Sequence, residues 1–314
     1  LKNKLTFFDG IPVEPEETKK EKEMFFDPEC IPCIIKQAYN AGKLFTNENK
    51  KIQLKIVKEA CSAALQADEN FTAPMFSSII QSIVENNLGI KNPYQKLKEK
   101  NLEKAKPFIK YLETMVENSD DKLEMAVRTA ILGNTIDLGA NPNFNIEYEV
   151  NRITANNINQ ENLKNFSGNL KSSALILYIG DNFEEALFDK ILIKQLLPRR
   201  IVFAVRSKPI LNDITLSDAK ILEIDKMCEL IESGSTIAGT NLNECTPEFL
   251  DLFYKADMVI SKGQGNFETL LNEERPIYFL FKVKCDAIAK RCGLSLGTNA
   301  IYVKKNQKVE NEIL

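Results

Sequence analysis

After Ser172 the chain repeats one pattern, a short unbroken apolar run followed by a polar helical stretch. The runs are Ala174-Leu-Ile-Leu-Tyr-Ile179, Ile201-Val-Phe-Ala-Val205, Asp257-Met-Val-Ile-Ser261, Pro276-Ile-Tyr-Phe-Leu-Phe281 and Ala300-Ile-Tyr-Val303. Each is short enough for a strand and apolar enough to be covered on both faces. Residues 219–223 read as a further strand. Strands that alternate with helices pair in parallel, with helices on both sides of the sheet. The expected fold is α/β: a three-layer α/β/α Rossmann-like domain with a mostly parallel sheet.

The preceding part reads differently. Ile34, Ile35, Ala38 and Ala41 fall on one helical face, as do Ile52, Ile56, Ala60 and Ala63, and then Met75, Ile79, Ile80 and Ile83. Gly89 is the only glycine between Gly42 and Gly133. This predicts an all-α helical domain over residues 27–140, behind a charged lead-in arm at 1–26. The α/β/α domain is expected over 141–314, entered through an Asn-rich linker at 141–170.

Composition excludes several chemistries. The chain has no histidine, so a Ser-His-Asp triad, a Cys-His dyad and a His-ligated zinc are ruled out. Lysine and arginine number 41 against 44 aspartates and glutamates, which argues against a general nucleic-acid surface. No apolar run is long enough to span a membrane. The 7 cysteines are mostly scattered, a reduced pattern. Leu1 to Phe8 show no secretory leader, and the cytoplasm is the expected location. Cys30 and Cys33 form a CxxC that reads as structural thiols at a helix start, a metal site or a redox pair.

Ligands of open α/β sheets bind beyond the carboxyl ends of the strands. Gly180-Asp181-Asn182 follows the first run, with Glu184 and Glu185 behind it; the plain alternative is helix capping. Arg206-Ser-Lys208-Pro209 and Asn212-Asp213 follow the second, alternatively as a solvated loop. Lys262-Gly263-Gln-Gly265-Asn266 follows the run ending at Ser261 and reads as an anion cradle, without P-loop spacing. Asp181, Asn182 and Asp213 are hard oxygen donors suited to Mg²⁺ or Mn²⁺, and Lys262 with Arg206 or Lys208 would balance phosphate charge. Carboxylates, a divalent cation and lysine at strand tips are what phosphoryl transfer needs.

These segments resemble the metal-dependent damage-control phosphatase family, once filed as domain of unknown function 89, in its CxxC-bearing archaeal and bacterial branch. The matching stretches, in order, are Cys30-Ile-Pro-Cys33, Asn92-Pro93-Tyr94, Gly133-Asn134-Thr-Ile-Asp137, Gly180-Asp181-Asn182-Phe-Glu-Glu185, Arg206 through Asp213, Ser233-Gly234-Ser235, Lys262 through Asn266, and Lys284-Cys285.

The resemblance implies one divalent cation (Mg²⁺, Mn²⁺, Co²⁺ or Ni²⁺) held at Asp181, Asn182 and Asp213. It implies Glu185 and Lys262 in catalysis beside Asp181, with substrate contacts from Glu185, Arg206, Ser235, Lys262, Asn266 and Asn134. The partner would be a small phosphorylated metabolite such as a sugar phosphate, with no nucleic acid and no membrane. Asp181 reads either as a nucleophile or as a ligand with water attacking. Asn134 and Asp137 share a helical face, with capping as the alternative, and Ser233 to Ser235 reads equally as a turn. Phe183 and Glu184 replace the family's small residues, which puts bulk and negative charge near the expected pocket. A carboxyl methyltransferase using S-adenosylmethionine and a non-catalytic metabolite-binding protein are the competing readings.

Overall fold

The apolar runs form the centre of one sheet. In the computed structural model, which describes residues 26–304 apart from 69, 136–145 and 155–157, there are six strands among the described residues. β1 (Leu175–Ile179), β2 (Arg200–Val205), β3 (Glu229–Glu232), β4 (Met258–Lys262), β5 (Tyr278–Lys282) and β6 (Asn299–Val303) lie in the order β3-β2-β1-β4-β5-β6. β1 to β5 pair in parallel, and β6 closes the edge antiparallel to β5. The chain winds outward from β1 to β3, then returns to place β4 on the other side of β1. The strand order therefore reverses at β1 and β4, where α/β sheets open a crevice.

Successive side chains of a strand point to opposite faces, and the core is split accordingly. Ile176 and Tyr178 of β1, with Phe203 and Ile260, pack under α4 (Gln95–Glu117), α5 (Lys122–Gly133), α7 (Gln160–Ser172) and α8 (Ala186–Leu196). Leu177 and Ile179, with Val202, Val259 and Phe279, pack under α10 (Pro247–Lys255), α11 (Gln264–Leu270) and α12 (Asp286–Cys292). This is the three-layer arrangement expected from the runs. α1 (Cys30–Phe45), α2 (Lys50–Ala64) and α3 (Ala73–Leu88) build a separate cluster around Ile34, Ala38, Ile56, Ala60, Phe76 and Ile80. No described helix is long and apolar enough to cross a membrane.

Two expectations are corrected. Residues 219–223 are not a strand: α9 (Leu216–Ile221) covers most of them, and the third strand is Glu229–Glu232. That strand is short and ends in glutamates, as an edge strand that must avoid pairing with other chains does. The Asn-rich stretch is not an irregular linker. It carries α6 (Ile146–Asn151) and α7, which buries Leu163, Phe166 and Leu170 at helical spacing and is capped by the Asn159 side chain. Asp137 lies outside the described residues.

Two loops at the strand tips are joined through their backbones. Phe183 N–H donates to Asn212 O at 2.9 Å, and Ile214 N–H donates to Asp181 O at 2.8 Å. The loop after β1 and the loop after β2 are thus one ladder, which brings Asp181 and Asn182 beside Asp213. From α4, Lys98 Nζ donates to Asp213 O at 2.9 Å and to Asp218 Oδ2 at 2.5 Å. Asp218 in turn closes the capping box of α9 with Thr215.

Candidate active site

Asp181 sits where the sheet opens, and its carboxylate fills the Lys262-Gly263 turn. A Cβ at Gly263, whose φ is +80°, would lie 1.9 Å from Asp181 Oδ2. Gly265 is equally constrained, with Ala238 O 2.2 Å from where its Cβ would be. The two glycines of this loop are thus required by close approach of the surrounding chain. Gly263 lets the chain close around Asp181, and Gly265 lets it pass against the Ala238 carbonyl.

Both donors of one amide hold the neighbouring carboxylates in place. Asn182 Nδ2 donates to Asp181 Oδ2 at 3.0 Å and to Glu185 Oε2 at 3.2 Å. With its N–H₂ committed, Asn182 has its carbonyl oxygen Oδ1 left to offer, the atom a cation would use. Asn134, at the end of α5, does the same from the opposite side, donating to Asp181 Oδ2 at 3.1 Å and Glu185 Oε2 at 2.9 Å. Its own Oδ1 accepts from Lys282 N–H at 3.1 Å, tying α5 to the tip of β5.

Asp213 is held by Arg206, whose Nε donates to Asp213 Oδ2 at 2.7 Å. The guanidinium is buried and its other groups donate to Thr240 Oγ1 at 3.2 Å and Asn266 Oδ1 at 2.9 Å. It also lies 3.9 Å from Asp181 Oδ1. Lys262 Nζ donates to Ala130 O at 2.9 Å, Glu185 Oε1 at 2.5 Å and Asp189 Oδ1 at 2.6 Å. An ammonium has three donors, and these three acceptors use them.

The site residues read from the sequence thus divide. Asp181, Asn182 and Asp213 come together at the opening. Glu185, Lys262, Arg206, Asn266, Asn134 and Ser235 lie beneath or beside them, all buried. Asn266 gives its N–H₂ to Gly180 O and Lys262 O. Ser235 donates to Gly239 O at 2.9 Å and accepts from Asn241 N–H at 3.1 Å, shaping its own loop. In this arrangement the donors of Lys262, Asn134 and Asn266 are all committed to protein acceptors. Phe183 and Glu184 do not face the opening either. Phe183 is core, with Lys98 Nζ 5.2 Å from its ring centre. Glu184 Oε1 accepts from Asn101 and Asn212 Nδ2, each at 3.0 Å.

Sequence reasoning missed Asp189 and gave Lys284 no role, although Lys284 lies in a matching stretch. Asp189 on α8 pairs with Lys262. Lys284, exposed after β5, acts by its charge on Asp181. Its signal was available, because it follows a parallel strand of the open sheet.

The electrostatics follow from burial. Asp181 is pushed well above the usual carboxylate range by burial and by the charges of Glu185 and Asp213, against Arg206 and Lys284. Burial raises Asp213 to about 6 despite Arg206, and Asp189 to about 6 despite Lys262. Burial works against the Lys262 charge, but Asp189 and Glu185 outweigh it and raise Lys262. Four carboxylates (Asp181, Glu185, Asp189, Asp213) share this connected network with two cations, Arg206 and Lys262. With all four carboxylates ionised these six side chains are short of positive charge by two, the charge that one divalent cation would supply.

The CxxC lies elsewhere, at the first turn of α1. Burial pushes the Cys30 thiol up to about 12, helped by the charges of Glu268 and Cys285, and no cysteine is in a disulfide.

The model of the damage-control phosphatase ARMT1-like domain matches residues 26–300. An uncharacterized protein of Methanocaldococcus jannaschii is 35% identical over 87% of this chain and 94% of its own length. A damage-control phosphatase of Pyrococcus horikoshii is 32% identical, over 89% of this chain and 97% of its own. A crystal structure of a DUF89 family protein from Pyrococcus horikoshii superposes with a TM-score of 0.78 at 30% identity, covering 89% of this chain and 99% of the other. The chain belongs to the damage-control phosphatase ARMT1-like domain family.

Proposed function

We propose that this chain is a metal-dependent phosphatase that hydrolyses small phosphate esters, such as sugar phosphates or damaged phosphometabolites. Two relatives named damage-control phosphatase, at 32% and 30% identity over most of the chain, support a phosphatase in general. The metal dependence rests on one observation of this structure. Asp181, Asp213 and Asn182, whose N–H₂ is committed to carboxylates, meet in a buried network that is short of positive charge by two when its carboxylates are ionised.

The residues present fit a hard divalent cation. Asp181, Asn182 and Asp213 would hold it through oxygen, and Mg²⁺, Mn²⁺, Co²⁺ or Ni²⁺ would each serve. When bound, it supplies charge against the phosphoryl oxygens and alignment for the attacking group. The protein's own part is orientation. Gly263 and the amides of Asn134 and Asn182 fix the Asp181 carboxylate, and Arg206 fixes Asp213. With Asp181 wedged in this way, it serves as ligand rather than nucleophile. Lys284, exposed after β5 and acting by its charge on Asp181, would attract a phosphate there. A methyltransferase cofactor loop is not favoured, because the tip of β1 is occupied by carboxylates.

The test is phosphate release from sugar phosphates and p-nitrophenyl phosphate by EDTA-treated protein. Release restored by Mg²⁺, Mn²⁺, Co²⁺ or Ni²⁺ is expected. Equal release with and without metal overturns the metal requirement, and no release of any ester overturns the phosphatase.

Burial also makes stability depend on pH. The folded values of Asp189 and Asp213, about 6, lie above the ordinary 3.8, so the folded metal-free protein binds more protons than the unfolded chain in that interval. Their contribution is fully present below about pH 4 and is lost as pH rises through 6. Thermal unfolding of EDTA-treated protein should shift downward between pH 5 and about 7, and added Mn²⁺ should raise the midpoint most at the upper end. A midpoint that Mn²⁺ raises equally at both ends contradicts this.

A further inference from the structure

The network does not stop at Glu185. Asp189, one turn further along α8, is fully buried against β1. Its Oδ1 accepts from Tyr178 O–H at 2.7 Å and from Lys262 Nζ at 2.6 Å. Its Oδ2 has no hydrogen-bond partner. A buried carboxylate with one oxygen unsatisfied carries a desolvation cost that its bonds to Tyr178 and Lys262 must offset. Packing alone therefore does not account for this carboxylate, which is a counter-charge of Lys262.

Its placement accounts for it better. Lys262 divides its donors among Ala130 O, Asp189 and Glu185 Oε1. With Oε1 held by Lys262, Glu185 presents Oε2 to the Asn134 and Asn182 amides. An asparagine amide can turn either end toward a cation, and only its oxygen is a ligand. Acceptors at Glu185 Oε2 and Asp181 Oδ2 force the N–H₂ inward.

We propose that Asp189 is a positioning residue of the cation site: it fixes Lys262, Lys262 fixes Glu185, and Glu185 fixes the Asn182 amide with its oxygen toward the cation. This rests on the reading of Asp181, Asn182 and Asp213 as ligands. Asp189 touches neither cation nor substrate, so its effect is on cation affinity. Substrate affinity is set elsewhere.

The experiment uses EDTA-treated full chain and Mn²⁺ itself as the probe, read by electron paramagnetic resonance. Asp189→Asn keeps the shape and the acceptor for Tyr178 but loses the charge. It should bind Mn²⁺ roughly 10- to 100-fold more weakly, the usual effect of losing an outer-shell partner. Saturating Mn²⁺ should restore most of kcat, with KM for p-nitrophenyl phosphate unchanged.

A long-range field from the lost charge is separated by a double-mutant cycle. In a Glu185→Gln background the further change Asp189→Asn should have little effect, because the linkage is already broken. A full effect in that background overturns the proposal, and so does unchanged Mn²⁺ affinity in Asp189→Asn with a lowered unfolding midpoint. If Asp189→Asn does not fold, Tyr178→Phe removes one of the bonds to Asp189. It should then weaken Mn²⁺ roughly threefold, within the range of one hydrogen bond, and no change there is also contrary. If the unaltered protein binds no Mn²⁺, the ligand reading falls; if it binds and Asp189→Asn binds equally, only the positioning role falls.

Discussion

Asp181→Asn should lose at least about a hundredfold of metal-stimulated phosphate release and yet unfold at a higher temperature than the unaltered protein when both are metal-free. The two effects share a cause. Asp181 is buried beside Glu185 and Asp213, which repel its charge and push its carboxyl well above the usual range. Asparagine has the same shape and removes that repulsion, so the metal-free fold gains. The same change removes a charged ligand from the cation site, so function is lost. Sites that keep like charges together trade stability for activity. The assays are phosphate release at saturating Mn²⁺ and thermal unfolding in EDTA at pH 7.5. A variant that retains turnover removes Asp181 from the ligand set. A variant less stable than the parent shows that the Asp181 charge is already compensated.

Lys262→Met carries the largest expected change in stability, a loss of ~3–5 kcal/mol, the range for removing one partner of a buried ion pair. Lys262 is fully buried with Glu185 and Asp189 as its counter-charges. Without the ammonium, two carboxylates face each other in the core with no cation between them. They take up protons to fold, so the loss should be larger at pH 8 than at pH 5. Urea unfolding at the two pH values measures it. An equal loss at both would mean that Met disturbs packing and that the charges are held some other way. A loss under ~1 kcal/mol, the range of exposed pairs, would contradict the buried network itself.

The sheet was legible because its central strands are covered on both faces. Leu175 to Ile179 and Met258 to Lys262 are apolar runs that admit few other conformations. The edge strand was misplaced for the opposite reason. Glu229–Glu232 is partly exposed, and its two glutamates hide a strand that pairing with β2 alone defines. Helix α7 was legible in principle, since Leu163, Phe166 and Leu170 have helical spacing. Its asparagines read as loop because composition was weighed above period.

At the site, the oxygen donors at the strand tips could be found from position alone. Burial could not. Glu185 follows the same tip as Asp181 and Asn182, yet it turns inward to Lys262. Lys262 ends β4 with a side chain long enough to reach substrate, and it is drawn into the core by Asp189, a residue of a different helix. Lys98 and Asn101 approach from α4, more than a hundred residues away in the case of Lys98 and its partner Asp213. Such partners are set by tertiary packing, and no local spacing announces them.

The central claim is that Asp181, Asn182 and Asp213 hold one divalent cation. Titration of EDTA-treated protein with Mn²⁺, followed by electron paramagnetic resonance or calorimetry, tests it most directly, with Asp213→Ala alongside. One Mn²⁺ per chain is expected in the unaltered protein and none bound at that affinity in Asp213→Ala. Absence of binding in the unaltered protein, or binding of equal strength and stoichiometry in Asp213→Ala, would contradict it.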